Sequence, residues 1–327
     1  MSLSFTRGAL LALAAALPLS LPAPPAFAEG ARPQLAEASP ELKKRADALF
    51  QGVGENGGKA TFGSIEAGAT PEGLVIKQIE IVSKEKKKVT IEEIEIKTFD
   101  WANPREPRHA DMAMKKLFIA ADQLDAEGAA NFRELGLASL TINGELAFKF
   151  DDAEKAFDVS KLFVDFVEMG ELRLRLKLVG VTANDIKTAM PGEKPAPGKP
   201  GAGKPNPQDA QAMMGLLSRL NIAGAAIAFK DKSLVERMVR ADAKKKNLSE
   251  QAAKAKMLEE LAEERAKAED DVTKEFIDAA IKFLTTPGEI ELALNPPAPA
   301  NVMAAFMMVM GNRVTFKQMM GLSVSVK

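Results

Sequence analysis

The chain has 327 residues, 46% hydrophobic and 27% charged, with a formal net charge of −1 at pH 7. That length supports one large domain or two modest ones, and the near-neutral charge excludes a nucleic-acid binder, which would show a strongly basic face. With no Cys, no Tyr, one Trp and one His, it has no disulfide, few aromatic faces for stacking and almost no basis for a His-based metal site.

Residues 1–28 read as a cleaved signal peptide. Arg7 supplies the positive region, Ala9 to Leu17 form an unbroken apolar run, and prolines 18, 22, 24 and 25 stop a helix from continuing. The small-x-small triplet Ala26-Phe27-Ala28 marks the cut, so a periplasmic protein starting at Glu29 is expected. No later segment reaches 18 apolar residues, and no transmembrane helix is expected after the signal.

Residues 29–190 are predicted to be β-rich behind one N-terminal helix. Ser39-Pro40 reads as N-cap and first helical position, with Leu42, Ala46, Leu49 and Phe50 as the apolar stripe. A glycine-rich passage (52–63) follows and carries no predicted element; it lacks the Gly-Lys-Ser/Thr ending of a phosphate loop. Strands over 73–83 and 88–99 share the pattern IKQIEI and IEEIEI and form a hairpin with a charged tip at Lys84–Lys88. In both, the apolar phase slips between successive isoleucines, Ile76 to Ile79 and Ile91 to Ile94. Period 2 cannot do this without a bulge or strong twist, so a curved sheet is expected.

Further strands are predicted over 112–121, 140–150, 156–167 and 171–181, with a short helix over 129–135. The last strand, ELRLRLKLV, alternates cleanly, placing Leu172, Leu174, Leu176 and Leu178 on one face and Arg173, Arg175 and Lys177 on the other. Residues 191–207 hold six Pro, four Gly and three Lys and read as an extended, solvated linker. Residues 208–327 then complete the same domain or form a second half. Expected there are a helix from Pro207, a strand over 220–230, a helix from Ser233, and a long helix over 249–284. A strand over 289–294, a Met-rich helix over 302–310 and a terminal strand over 322–326 finish the chain. LTINGELAFKFD (140–151) aligns with LNIAGAAIAFKD (220–231), which suggests a duplicated sheet element. The fold class expected is α+β: a large twisted antiparallel sheet of repeated amphipathic strands, covered by the long helix and shorter ones.

No catalytic constellation is legible, and no enzyme activity, cofactor or metal is assigned. The methionines at 303, 307, 308, 310, 319 and 320 fit core packing better than Cu(I) binding. His109 sits among prolines and charges without a nucleophile and reads as an exposed loop. Asp151-Asp152 fits a turn better than a Ca²⁺ site. The strongest functional signal is an apolar sheet face, with Ile142, Leu146, Leu172, Leu174, Leu176 and Leu178 as candidate ligand lining.

The strand starts Leu117-Phe118-Ile119, Leu140-Thr141-Ile142, Leu162-Phe163-Val164 and Leu220-Asn221-Ile222, with residues 231–237 and 287–290, resemble bacterial envelope proteins of the YdgA-like and AsmA-like kind. The resemblance implies envelope maintenance or lipid handling and supplies no catalytic residues. The function expected is a non-enzymatic binding or scaffold protein of the periplasm, with a lipid-like ligand or an envelope protein as partner. The alternative is a protein–protein adaptor using the acidic helix over 249–271.

Overall fold

The computed structural model describes residues 39–55, 57–104, 106–182, 185 and 214–327. The signal segment, with Ala26 and Ala28, and the 191–207 linker lie outside the described residues. The chain is α+β: one open antiparallel sheet of 12 strands with helices concentrated in the C-terminal third.

Helix α1 (Pro40–Leu49) starts where Ser39 Oγ accepts the Leu42 N–H at 3.3 Å. The glycine-rich passage and the residues beside it hold α2 (Gln51–Glu55), β1 (Lys59–Thr61) and β2 (Ser64–Ala67), none of them expected, and both strands pair with β3. A meander follows: β3 (Leu74–Val82), β4 (Lys88–Phe99), β5 (His109–Ala120), β6 (Ser139–Asp151), β7 (Ala156–Phe166) and β8 (Gly170–Val179). Helix α3 (Ala126–Glu134) interrupts it between β5 and β6. Strand β9 (Asn221–Asp231) then pairs with β8, and β10 (Glu289–Leu294) and β12 (Leu322–Val326) complete the path, with the short β11 (Ala300–Asn301) on β9. Strands on both sides of 191–207 therefore belong to one sheet.

The phase slips of β3 and β4 lie opposite each other, and the two strands stay in unbroken register across them, whereas β5 shifts register against β6 at the same level. Ile76 faces Ile94 and Ile79 faces Ile91, so the extra residues Gln78 and Glu92 fall at the same step of both strands. In β5 the extra residue is Lys116, and Gln78 and Lys116 take left-handed φ of 51° and 49°. Because neighbouring strands gain a residue together, pairing continues while the apolar side chains return to one face. The Lys116 N–H, displaced from the ladder, donates to Asn143 Oδ1 at 2.9 Å, and its ammonium sits 2.6 Å from Glu92.

Helices α4 (Leu234–Lys246), α5 (Glu250–Lys267) and α6 (Asp271–Thr285) follow β9. The single helix expected over 249–284 is thus two. Asp270 breaks it: its carboxylate accepts the Thr273 N–H and hydroxyl, both at 2.8 Å, capping α6. The two helices fold back on each other, with Arg265 of α5 bonded to Asp278 of α6 at 2.9 Å and Lys254 Nζ reaching the Thr285 carbonyl at 3.1 Å. After β10 come α7 (Val302–Gly311) and α8 (Arg313–Met320), the latter absent from the sequence reading.

Asp270→Ala should cost about 1 kcal/mol, the usual loss for an N-cap. The Asp270 carboxyl is held below its ordinary value, first by the Thr273 N–H and then by the Thr273 hydroxyl and Arg313. A depressed folded value stabilises fully above the unfolded one, near 4, and the contribution disappears as pH falls through the folded value. Urea melts should therefore show the variant's deficit at pH 7 and a shrinking one below about pH 4.

Candidate functional site: an apolar strip on the central strands

Register aligns the apolar side chains into rows that cross the sheet. One row runs Leu74, Ile96, Met112, Leu146, Leu162, Leu174, Ile227, Leu292 and Val324, one residue from each successive strand. On one side lies a row through Gly144, Val164, Leu172 and Phe229, and on the other a row through Phe148, Val159, Leu176 and Ala225. Directly opposed residues of antiparallel strands share a face, so these rows form one continuous apolar surface. The opposite face is polar and laced by cross-strand pairs such as Lys115–Glu93 at 2.6 Å and Lys161–Glu145.

Coverage of the apolar face is uneven. At the β3–β4 end, Ala46, with Leu42 and Leu49 also on α1, packs on Leu74, Ile76 and Ile96, which are fully buried. At the β9–β12 end, α6 lies on the sheet through Phe283, whose ring centroid is 6.4 Å from that of Phe229. Helices α7 and α8 cover Ile222 and Leu294 with Ala305, Phe316, Met319 and Met320. Helix α5 packs instead on α4 and α6. Between these two walls, Leu146, Leu162, Leu172, Leu174 and Leu176 are only half-buried, and Ile227 is 36% exposed. The open strip spans β6 to β9, roughly 14 Å across the strands and about 20 Å along them.

The strip has different ends. At one, Leu135, Phe132 and Leu234 close over Ile142, Leu140 and Met169. Asp231 stands there too; desolvation pushes its carboxyl up, while its Oδ1 accepts the Val235 N–H at 3.0 Å and so starts α4. At the other end, Phe150 and Phe157 stack with centroids 4.4 Å apart, and Phe148 packs against both.

Of the six lining residues expected from sequence, Leu146, Leu172, Leu174, Leu176 and Leu178 are half-buried on this face. Ile142 is 8% exposed and belongs to the closed end. Leu162 and Ile227 complete the strip; their alternation was legible, but the bulges at Ser160–Lys161 and Ala223 decide which face they take. The second bulge also separates the two copies of the sequence repeat: Leu146 points into the strip, whereas the aligned Ala226 opposes Arg175 on the polar face.

Lys84 to Lys87 form the β3–β4 turn, with Lys86 at φ 64°. His109 opens strand β5 rather than sitting in a loop, because the Asp100 N–H donates to its carbonyl; its side chain is 42% exposed and 3.9 Å from Glu72. Asp151 Oδ1 accepts the Ala153 and Glu154 N–H groups, and Asp152 pairs with Arg108 at 2.6 Å. The Asp151 carboxyl is held below its ordinary value, first by the Glu154 N–H. The methionines divide: Met320 is fully buried, whereas Met307 is 64% exposed, so core packing does not describe the whole group. Among the described residues, no cluster of three or more His, Cys, Asp or Glu is placed to hold a metal, and no helix is long and apolar enough to cross a membrane.

Fold and site define an α+β protein built on a single open antiparallel sheet, with an apolar strip left between two helical covers. Residues 163–327 match the model of a family described as "Uncharacterized protein", and the chain belongs to that family. The matched region starts in β7 and includes Leu172 to Leu178, Ile227 and the whole C-terminal helical cover. No curated protein matches the chain.

Proposed function

We propose that this is an exported envelope protein that binds rather than catalyses, holding a lipid-like apolar ligand on the strip. The observation that carries this reading is the half-buried strip on β6 to β9, bounded at the β3–β4 end by a fully buried stretch of the same face under α1 and at the other end by helices α6 to α8. Each ligand methylene removed from water there would contribute about 0.8 kcal/mol. The resemblance to YdgA-like and AsmA-like envelope proteins and the export signal support the setting. A fluorescent fatty acid should bind the purified protein, and the double variant Leu146→Lys, Leu174→Lys should weaken it at least about tenfold by placing two cations in the strip. Absence of binding to the unaltered chain, or equal binding by the variant, rejects the reading.

The adaptor reading rests on α5, in which only Ala253 is buried. It would be favoured by a reproducible protein crosslink from α5 together with ligand-free protein in native mass spectrometry.

A further inference from the structure

The apolar face continues where the open strip ends. On β6 the residues of that face are Leu140, Ile142, Gly144 and Leu146, alternate positions of one strand. Leu146 is half-buried, whereas Ile142 and Leu140 are 8% and 7% exposed. Phe132 of α3, Leu135 at its C-cap and Leu234 at the start of α4 cover this continuation, and Val164 of the strip packs against the same cluster.

One guanidinium holds the cover in place. Arg237 Nη1 donates to the Leu135 and Gly136 carbonyls at 3.1 and 3.3 Å, its Nε donates to Ser233 Oγ at 3.0 Å, and it pairs with Glu168 at 3.5 Å. It thereby ties the C-terminus of α3 and the β7–β8 turn to α4, although these lie 102 and 69 residues away in sequence. The two carbonyls belong to a helix C-terminus, where acceptors lack intrahelical partners and a cation is favoured. The Met169 carbonyl accepts the N–H groups of Lys232, Ser233 and Leu234 at 3.0 to 3.2 Å, so the first turn of α4 is fixed to the same β-turn.

This cover stands across the strand direction. An acyl chain laid along Leu178, Leu176, Leu174 and Leu172 meets it at Val164, the cross-strand neighbour of Leu172. The open length is about 20 Å, and one acyl chain occupies roughly 15 Å, half of a bilayer core. A membrane-length acyl chain therefore lies down in full, and a longer one meets the cover. We propose that the cover is an end stop that sets the length of the apolar chain the strip accepts, with Arg237 as the positioning residue that holds it. The stop rests on the reading of the strip as a lipid-binding surface and adds to it a selection by chain length.

Competition of saturated fatty acids of increasing length against a fluorescent fatty acid tests it. Affinity for the unaltered protein should rise about fourfold per methylene and then level off once the acyl chain spans the strip. Gly144→Leu should bring the plateau to shorter fatty acids. Residue 144 lies beside Val164, and a Cβ there meets nothing nearer than Met114 Cε at 3.6 Å, so the sheet accommodates it. Arg237→Met keeps the aliphatic stem and removes all four polar contacts; the plateau should move to longer fatty acids, with the affinity for short ones unchanged. Should Arg237→Met fail to fold, Gly144→Leu decides alone. A plateau that Arg237→Met leaves in place overturns the role of Arg237. A plateau that Gly144→Leu leaves in place, or affinity that never levels off in the unaltered protein, overturns the stop while the strip still binds. Absence of binding at every length rejects the strip reading and the stop with it.

Discussion

Leu74→Ala is expected to destabilise the protein by about 3–5 kcal/mol, whereas Leu174→Ala, in the same cross-sheet row, costs about 1 kcal/mol. Leu74 is fully buried beneath α1, so truncation leaves a cavity that the rigid sheet cannot collapse into. Leu174 is half-buried, so its truncation leaves a dent that solvent or a ligand fills. Chemistry, strand environment and register are alike at the two sites; coverage differs. Urea melts of the two variants check this, and equal losses would mean that the central strands are covered as fully as the flanks.

A loss of about 3–5 kcal/mol is also expected for Gly321→Val. Gly321 ends α8 at φ 56°, and its N–H bonds the Lys317 carbonyl. A side chain there meets two obstacles. The left-handed backbone disfavours a β-branched residue, and a Cβ would lie 2.1 Å from the Asn295 carbonyl oxygen, inside contact distance of backbone that cannot swing aside. The Asn295 N–H in turn donates to the Gly321 carbonyl at 3.3 Å, so the two loops that hold β12 beside β10 are tied at this point. Asn247 serves as control: it caps α4 at φ 53°, and Asn247→Gly should stay within about 1 kcal/mol because the left-handed position accepts either residue. Thermal melts of both variants distinguish the close approach at residue 321 from the general requirement for positive φ.

Much of the sheet was legible because alternation is local. Leu172 to Leu178 announced one apolar face, and the shifted isoleucines of β3 and β4 announced a break in alternation, which Gln78 makes with its left-handed backbone. The terminal strand was read at its observed bounds. What failed were decisions taken elsewhere in the fold. Nothing in the pattern of residues 249–284 outweighs helix continuity except Asp270, whose capping bond to Thr273 is worth little in isolation but accompanies packing of α6 on Phe229. The β1 and β2 segments, of three and four residues, are too short to show a period, and they form because β3 offers its edge. The candidate site was half legible. The apolar face of β8 could be read, but its exposure could not, since it depends on how far α1 and α6 to α8 reach across the sheet. Met307 shows the same limit from the other side: its helical spacing matches a core position, yet α7 has a core against one side only.

The open middle of this apolar face should take an apolar chain. Photolabelling with a diazirine-bearing fatty acid, followed by peptide mass spectrometry, tests it most directly. Label is expected on Leu146, Leu162 and residues 172–176 and at Ile227, competed by unlabelled fatty acid. Label confined to α7, or scattered over the surface and indifferent to competitor, would contradict it.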